Sequence, residues 1–253
     1  MKRLALAIAG IVARLWGLLP GGLRRRLLLG FFVLEGRAGD PAQGLRNLLR
    51  AKDALDLAIN ERAMAYGGGE HPKHRLTDYH RFFIDRIPAS GRVLDIGCGY
   101  GAVARSVAAA LPGVEVLGVD MDEGRLAQAK AMAPLPNLSF LFTDATKVLP
   151  PGAWHTVILS NVLEHIDGRP GFLRAVVRTA SPDRLLIRVP LFERDWEMPL
   201  RRELGVNFLS DPDHRIEHTL QQFRDEVAAA GLAVTDLGTL WGEIWAECRP
   251  SAG

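Results

Sequence analysis

The run Val93-Leu94-Asp95-Ile96-Gly97-Cys98-Gly99-Tyr100-Gly101 sets three glycines at alternate positions behind an apolar, strand-like stretch. Glycines so spaced let a ligand approach the backbone closely, and a helix opening behind them offers unpaired N–H groups to an anionic group. Such a loop is weak evidence alone. Asp95 sharpens it, because a carboxylate beside the loop suits a ligand with a positive amine and opposes a pyrophosphate. The next apolar run ends in Asp120, 19 residues past Gly101, about where an acid meets ribose hydroxyls in nucleotide-binding βαβ units. A third run ends in Phe142-Thr143-Asp144-Ala145 and a fourth in Ser160-Asn161-Val162-Leu163-Glu164-His165. Any one of these acids can be a helix cap after a strand. Four polar strand ends in succession mark the carboxyl edge of an open α/β sheet, where ligands bind.

The elements that must position these residues alternate between β and α. Buried strands are expected at Val93–Ile96, Val114–Val119, Leu138–Phe142, Thr156–Ser160 and Leu185–Val189, with crossover helices at about Ala102–Leu111, Glu123–Met132 and Pro170–Thr179. Thr219-Leu220-Gln221-Gln222 is a capping box opening a helix that Gly231 closes, and strands at about Ala233–Leu237 and Glu243–Cys248 finish the sheet. Upstream, Asp40-Pro41-Ala42-Gln43 reads as a cap, a first-turn proline and a glutamine reaching back, so a helix runs from there to the triple glycine 67–69. A further helix is expected from about Thr77 to Ile87.

VLDIGCGYG, VLGVDMD, LFTDA and LSNVLEHI resemble, in order and spacing, the motifs of class I S-adenosylmethionine-dependent methyltransferases, over roughly residues 90–248. The resemblance implies an α/β, Rossmann-like, seven-stranded, mostly parallel sheet with helices on both faces, behind a helical N-terminal extension. It implies that Gly97, Gly99 and Gly101, with Cys98 between them, hold the methionine part of the cofactor and that Asp95 faces its ammonium group. Asp120, followed by Met121, would take the ribose hydroxyls, Asp144 and Ala145 the adenine edge, and Asn161 the floor beneath the sulfonium. A nicotinamide or flavin dinucleotide is the rival ligand; Asp95 and a loop one residue tighter than the dinucleotide spacing count against it. GGGEHPKHRLTDYHRFF, RVPLFERDWEMPLRRELGV and DPDHRIEHT resemble methyltransferases found with glycosyltransferases and polysaccharide assembly proteins. That likeness implies a sugar hydroxyl of a glycan or lipid-linked glycan as acceptor, with small-molecule, lipid or quinone-type acceptors as the alternative. A non-catalytic cofactor-binding or membrane-scaffold protein is the reading from another class.

A sugar hydroxyl must lose its proton as it attacks, and histidine is the usual agent. His165, just behind the fourth strand, and His74 are the candidate bases. His71, Lys73 and Arg75 would join His74 in a cationic lid hinged on the triple glycine, or form a solvated loop. His71 and His74 have a spacing that fits a metal, but no Cys or tight carboxylate cluster accompanies them, so no metal is expected. His80 falls at helical spacing with Phe83, Ile84 and Ile87 and reads as a core histidine, while His155 precedes a strand with no partner in view. The long insertion 190–218 carries Asp195, Trp196, Asp213 and His214 as candidate acceptor contacts, a Trp among charges being suited to stacking on a sugar face; a solvated charged loop is the plain alternative.

Composition bounds the rest. The 253 residues are 48% hydrophobic and 24% charged, which suits a folded globular chain and excludes collagenous, disordered and all-membrane classes. Two cysteines, Cys98 and Cys248, are too few for a disulfide scaffold, so a reducing cytosolic setting is expected. Residues 1–50 hold nine Lys or Arg against Glu35 and Asp40, leaving an acidic remainder under a total of +2. This basic arm is also greasy: Leu4–Ala13 is apolar after Lys2 and Arg3, and Leu27–Leu34 follows Arg24-Arg25-Arg26. Neither run reaches the roughly 20 residues of a membrane span, and no small-residue cleavage site follows the first. The arm is expected either to lie on an anionic membrane at its inner face or to pack on the body. No nucleic-acid groove is expected. The organisation read here is a helical extension over 1–88, comprising the arm 1–38 and cap helices with the HPKHR loop over 39–88, followed by the methyltransferase domain over 89–253.

Overall fold

The computed structural model describes residues 10, 12–69 and 71–251. Lys2, Arg3, most of the Leu4–Ala13 run and Glu70 lie outside the described residues. The chain forms two compact bodies, residues 1–65 with 201–207 and residues 66–200 with 208–253.

In the smaller body, α1 (Gly21–Arg37) turns into α2 (Pro41–Tyr66). Asp40 caps α2 as its sequence predicts, Oδ1 accepting from Gln43 N at 2.8 Å. The turn is tight because both helices present glycine: a Cβ on Gly44 would lie 2.0 Å from the Gly36 carbonyl oxygen. Farther along α2, Arg46 donates to the Leu204 carbonyl at 3.0 Å and Asp53 pairs with Arg201 at 2.9 Å. No residue of α1 is buried.

The larger body is a seven-stranded sheet in the order β3-β2-β1-β4-β5-β7-β6. Its strands are β1 (Gly91–Ile96), β2 (Val114–Asp120), β3 (Leu138–Phe142), β4 (Thr156–Ser160), β5 (Arg184–Pro190), β6 (Leu232–Leu240) and β7 (Glu243–Pro250). The first five run parallel; β7 is antiparallel to both β5 and β6. Parallel neighbours need crossovers, supplied by α5 (Ala102–Ala110), α6 (Glu123–Ala131) and α7 (Arg169–Ala180). Helices cover both faces, so the central strands are buried in continuous runs rather than at alternate positions; Thr156 to Leu159 of β4 and Leu185 to Pro190 of β5 are all buried. Leu163, Leu173, Val176, Phe223 and Val227 pack one face, and Phe83, Val103, Val107 and Trp245 the other. The β6–β7 hairpin closes through Trp241 and Gly242 alone, both at positive φ (56° and 77°), as a two-residue turn of that hand requires.

The strands and crossover helices fall within a few residues of their expected places, and the capping box at Thr219 is formed ahead of α9 (Leu220–Ala229). Two expectations change. The helix expected over Thr77–Ile87 is shorter, α4 (His80–Ile84), and a separate α3 (Lys73–Thr77) precedes it, because Asp78 between them turns left-handed at φ 46°, a conformation its short polar side chain tolerates. The insertion is not a plain loop. It holds a one-turn helix over Phe192–Arg194 and α8 (Glu197–Leu204), and is tied at its base where Leu191 bridges His218.

Candidate active site

The carboxyl ends of β1 to β4 open into a cavity of about 680 Å³ whose walls include Gly97, Asp120, Met121, Asp144, Ala145 and Asn161. The glycine loop is fixed from below by the Val119 carbonyl, which accepts from Gly97 N and Cys98 N at 2.8 and 3.0 Å. Gly97 and Gly101 sit at φ 70° and 75°, and a Cβ would meet Val162 at 2.7 Å on the first and Phe140 at 2.6 Å on the second. A side chain at either position strains the backbone and displaces the wall.

Asp120 is buried, and its two oxygens accept from Gly99 N at 2.7 Å and Asp122 N at 2.8 Å. Each carboxylate oxygen has a second lone pair, so the residue both shapes the loop and keeps acceptor capacity towards the cavity. Asp95 lies behind the loop, 1% exposed, with Oδ2 unpartnered among the described residues. Desolvation pushes its carboxyl up to about 7; the Ala104 N–H opposes the shift and the charge of Asp120 adds to it. Asn161 stands at φ 57° after β4, donates its N–H to the Arg188 carbonyl at 2.9 Å, and leaves Oδ1 buried and without a partner among the described residues. Asp144 is held down at about 2 by Lys147 and Thr146, whose side chains lie 2.8 and 2.6 Å from its oxygens. Its carboxylate serves a local turn; among the described residues no helix separates β3 from β4 for it to cap.

Past Asn161, the chain makes a one-turn helix over Leu163–His165. His165 lines the cavity with Asp213 and Arg215, its Nδ1 3.3 Å from Asp213 Oδ2. The His214 ring stands edge-on to His165 with centroids 4.7 Å apart, and His214 Nδ1 is 3.0 Å from Glu217 Oε1. Burial disfavours charge on His214, but Glu217 and Glu164 outweigh it and raise its pKa. Glu164 is fully buried with both oxygens unpartnered among the described residues, and desolvation pushes it up to about 8. Neither Glu164 nor Glu217 was singled out in the sequence. A carboxylate set beside His165 among Val162, Leu163 and Ile166 is the available signal for Glu164.

Other candidates lie outside this cavity's walls. His71 and Arg75 border a separate recess of about 420 Å³ with Tyr66 and Gly67. His74 Nδ1 is 2.9 Å from the Tyr79 hydroxyl, and Lys73 begins α3. Asp195 accepts from Glu197 N at 2.7 Å at the start of α8, beside an exposed Trp196. His80 is a core histidine as read, 2.7 Å from Ser106 Oγ and held down at about 4 by desolvation first and the charge of His74 second. His155 does have a partner: its Nδ1 accepts from Arg92 N at 3.0 Å. The insertion's charges are in part buried, with Arg194 bonded to Glu217, which also accepts from Ser210 N and Oγ.

Residues 93–183, about a third of the chain, match the family described as methyltransferase domain. The chain is 26% identical over 215 residues to 2-methyl-6-phytyl-1,4-hydroquinone methyltransferase of Synechocystis sp., covering 80% of this chain and 59% of that protein. It is 31% identical over 122 residues to ubiquinone biosynthesis O-methyltransferase of Albidiferax ferrireducens, 46% of this chain and 48% of the relative. The chain thus spans only about half to three-fifths of these two relatives. Among solved structures, magnesium protoporphyrin IX methyltransferase of Synechocystis with bound SAH superposes with a TM-score of 0.55 at 18% identity, over 71% of this chain and 83% of that one. The larger body thus resembles methyltransferase domains over residues 93–183 and shares its fold with a solved methyltransferase, and the sequence motifs imply S-adenosylmethionine as the cofactor. Its residues fit that cofactor: a buried unpartnered carboxylate oxygen on Asp95 answers an ammonium group, and Asp120 keeps lone pairs at the end of β2.

Proposed function

We propose that this domain methylates an oxygen, the hydroxyl of a glycan or lipid-linked sugar being the acceptor. The observation that carries the reading is His165, a cavity-lining imidazole whose Nδ1 is held by Asp213. With one ring nitrogen so engaged, the other is left to meet an acceptor hydroxyl and draw off its proton. Bound S-adenosylmethionine supplies an electrophilic methyl group on a sulfonium. The chain's part is alignment and exclusion of water: Asp95 and Asp120 anchor the two ends of the cofactor, Asn161 bounds the floor, and the His165–Asp213 wall receives the acceptor.

A quinol or other phenolic acceptor is the second reading, favoured by the two quinone-pathway relatives. A phenolic hydroxyl, with a pKa near 10, needs less help in losing its proton. Both acceptors suit a membrane setting, and α1 supports one: Arg24, Arg25 and Arg26 precede Leu27, Leu28, Phe31 and Leu34, all exposed. Arginines beside exposed apolar residues suit contact with an anionic headgroup layer. No helix among the described residues is long and apolar enough to cross a membrane. The test is to incubate the protein with methyl-labelled S-adenosylmethionine and, separately, lipid-linked glycan and quinol fractions of a bacterial envelope. Label in an ether on the glycan supports the first reading, label on the quinol the second, and label in neither contradicts both.

A further inference from the structure

We infer that Glu164, His165 and His214 hold a divalent transition-metal cation at the acceptor side of the cavity. One ligand atom from each lies within 4.8 Å of the others, a spread that one ion can bridge with small adjustments of side chain. Two imidazoles and one carboxylate are the donor set of open, three-ligand sites for zinc and its first-row neighbours.

Two further observations point to an ion. Both oxygens of Glu164 are buried and without a hydrogen-bond partner among the described residues, on a side chain with no exposed surface. A buried carboxyl left this way is costly unless something not yet counted answers it. Each histidine is also oriented through Nδ1 by a carboxylate, His165 by Asp213 at 3.3 Å and His214 by Glu217 at 3.0 Å. That pairing fixes the tautomer which leaves Nε2 as a ligand, the arrangement metal-bound histidines ordinarily show. Glu217 is itself held by Arg194 and by Ser210 N at 2.6 Å, so the support around His214 is rigid.

The inference rests on the methyl-transfer reading for its purpose and refines the part of His165. Three protein ligands leave a position open, and His165 lines the cavity, so the acceptor hydroxyl can coordinate there. Coordination lowers the pKa of a bound hydroxyl; its proton passes to solvent, and the oxygen bonds to the methyl carbon as the carbon–sulfur bond breaks, the electron pair staying on the sulfur of the departing S-adenosylhomocysteine. His165 then acts through the ion rather than as a free base.

The test uses the full chain, stripped with chelator and titrated with Mn²⁺, free ion being followed by its paramagnetic resonance signal. One equivalent is expected to bind to the wild type and none to Glu164→Gln or His165→Ala, with Glu217→Gln weaker by about 10–100-fold. Circular dichroism melts identify any variant that fails to fold; His165 is partly exposed, so His165→Ala decides if Glu164→Gln does not fold. Absence of stoichiometric binding to the wild type, or binding that survives the folded variants, overturns the inference. Calorimetry with S-adenosylhomocysteine on the same samples separates the two readings: Mn²⁺ failing while the nucleoside binds removes only the ion, whereas the nucleoside failing removes the methyltransferase reading itself.

Discussion

If Asp95 meets the cofactor's ammonium group as proposed, binding is expected to be a proton-coupled event. In the free protein the Asp95 carboxyl is pushed up to about 7 by burial, with Oδ2 unpartnered. It is therefore mostly protonated at pH 6, while an amine with a pKa near 8 remains charged. To pair with that ammonium the acid must ionise, so binding of S-adenosylhomocysteine releases a proton wherever free Asp95 holds one. Affinity then falls about tenfold for each pH unit below 7, about 1.4 kcal/mol per unit, and falls again above about 8, where the amine loses its own charge. Calorimetry in two buffers of different ionisation enthalpy counts the protons: close to one released at pH 6 and close to none at about pH 7.5, where release by Asp95 and uptake by the amine cancel. Asp95→Asn should bind about 10–100-fold more weakly at pH 8, since a charge-assisted bond contributes about 1.5–3 kcal/mol, and should lose the coupled proton. Stability carries the same sign. A folded pKa above the ordinary 3.8 gives a contribution that is whole below pH 4 and lost as pH rises towards 7, so the free wild type loses stability across that window and the Asn variant does so less. Proton release unchanged in Asp95→Asn would refute this reasoning.

Asp120→Ala should weaken S-adenosylhomocysteine by about 1.5–3 kcal/mol in calorimetry and also lower the melting temperature, because the side chain holds Gly99 N and Asp122 N; unchanged affinity would count against its ribose role. Glu226, bonded twice to Arg169 at 2.7 Å and once to His218 at 3.1 Å, is brought down to about 2 as these partners overcome burial. Glu226→Gln should cost about 2 kcal/mol at pH 7, roughly 4–8 °C of melting temperature, with the difference shrinking as pH falls from 4.5 towards 2. Deleting residues 1–35 should release the protein from anionic vesicles in a flotation assay while its melting transition remains, each arginine near the surface contributing about 1 kcal/mol; retention on the vesicles would remove the membrane role of α1.

The cavity's framework was legible because it depends on local signals. Apolar runs of strand length, glycines before a helix and acids at strand ends all act within a few residues, and they place Gly97, Asp120, Asp144 and Asn161 at one edge of the sheet. What the sequence hid depends on distant partners. Glu164 and His214 stand 50 positions apart, and only folding of the insertion over the end of β4 brings them together. Arg188, inside the apolar strand β5, is buried because Glu243 meets it at 2.6 Å and Tyr79 and Trp245 stack on it. A charged residue in so apolar a strand was the one hint. His155 looked partnerless because its partner is a backbone N–H on the neighbouring strand, which no side-chain pattern reveals.

A crystal structure of the full chain with S-adenosylhomocysteine tests the central claim most directly. The nucleoside is expected in the cavity at the carboxyl ends of β1 to β4, its amine directed at Asp95, its ribose hydroxyls on Asp120 and its sulfur over Asn161 on the side of His165. A nucleoside seated elsewhere, or an amine held by another carboxylate with Asp95 Oδ2 still unpartnered, would contradict that claim.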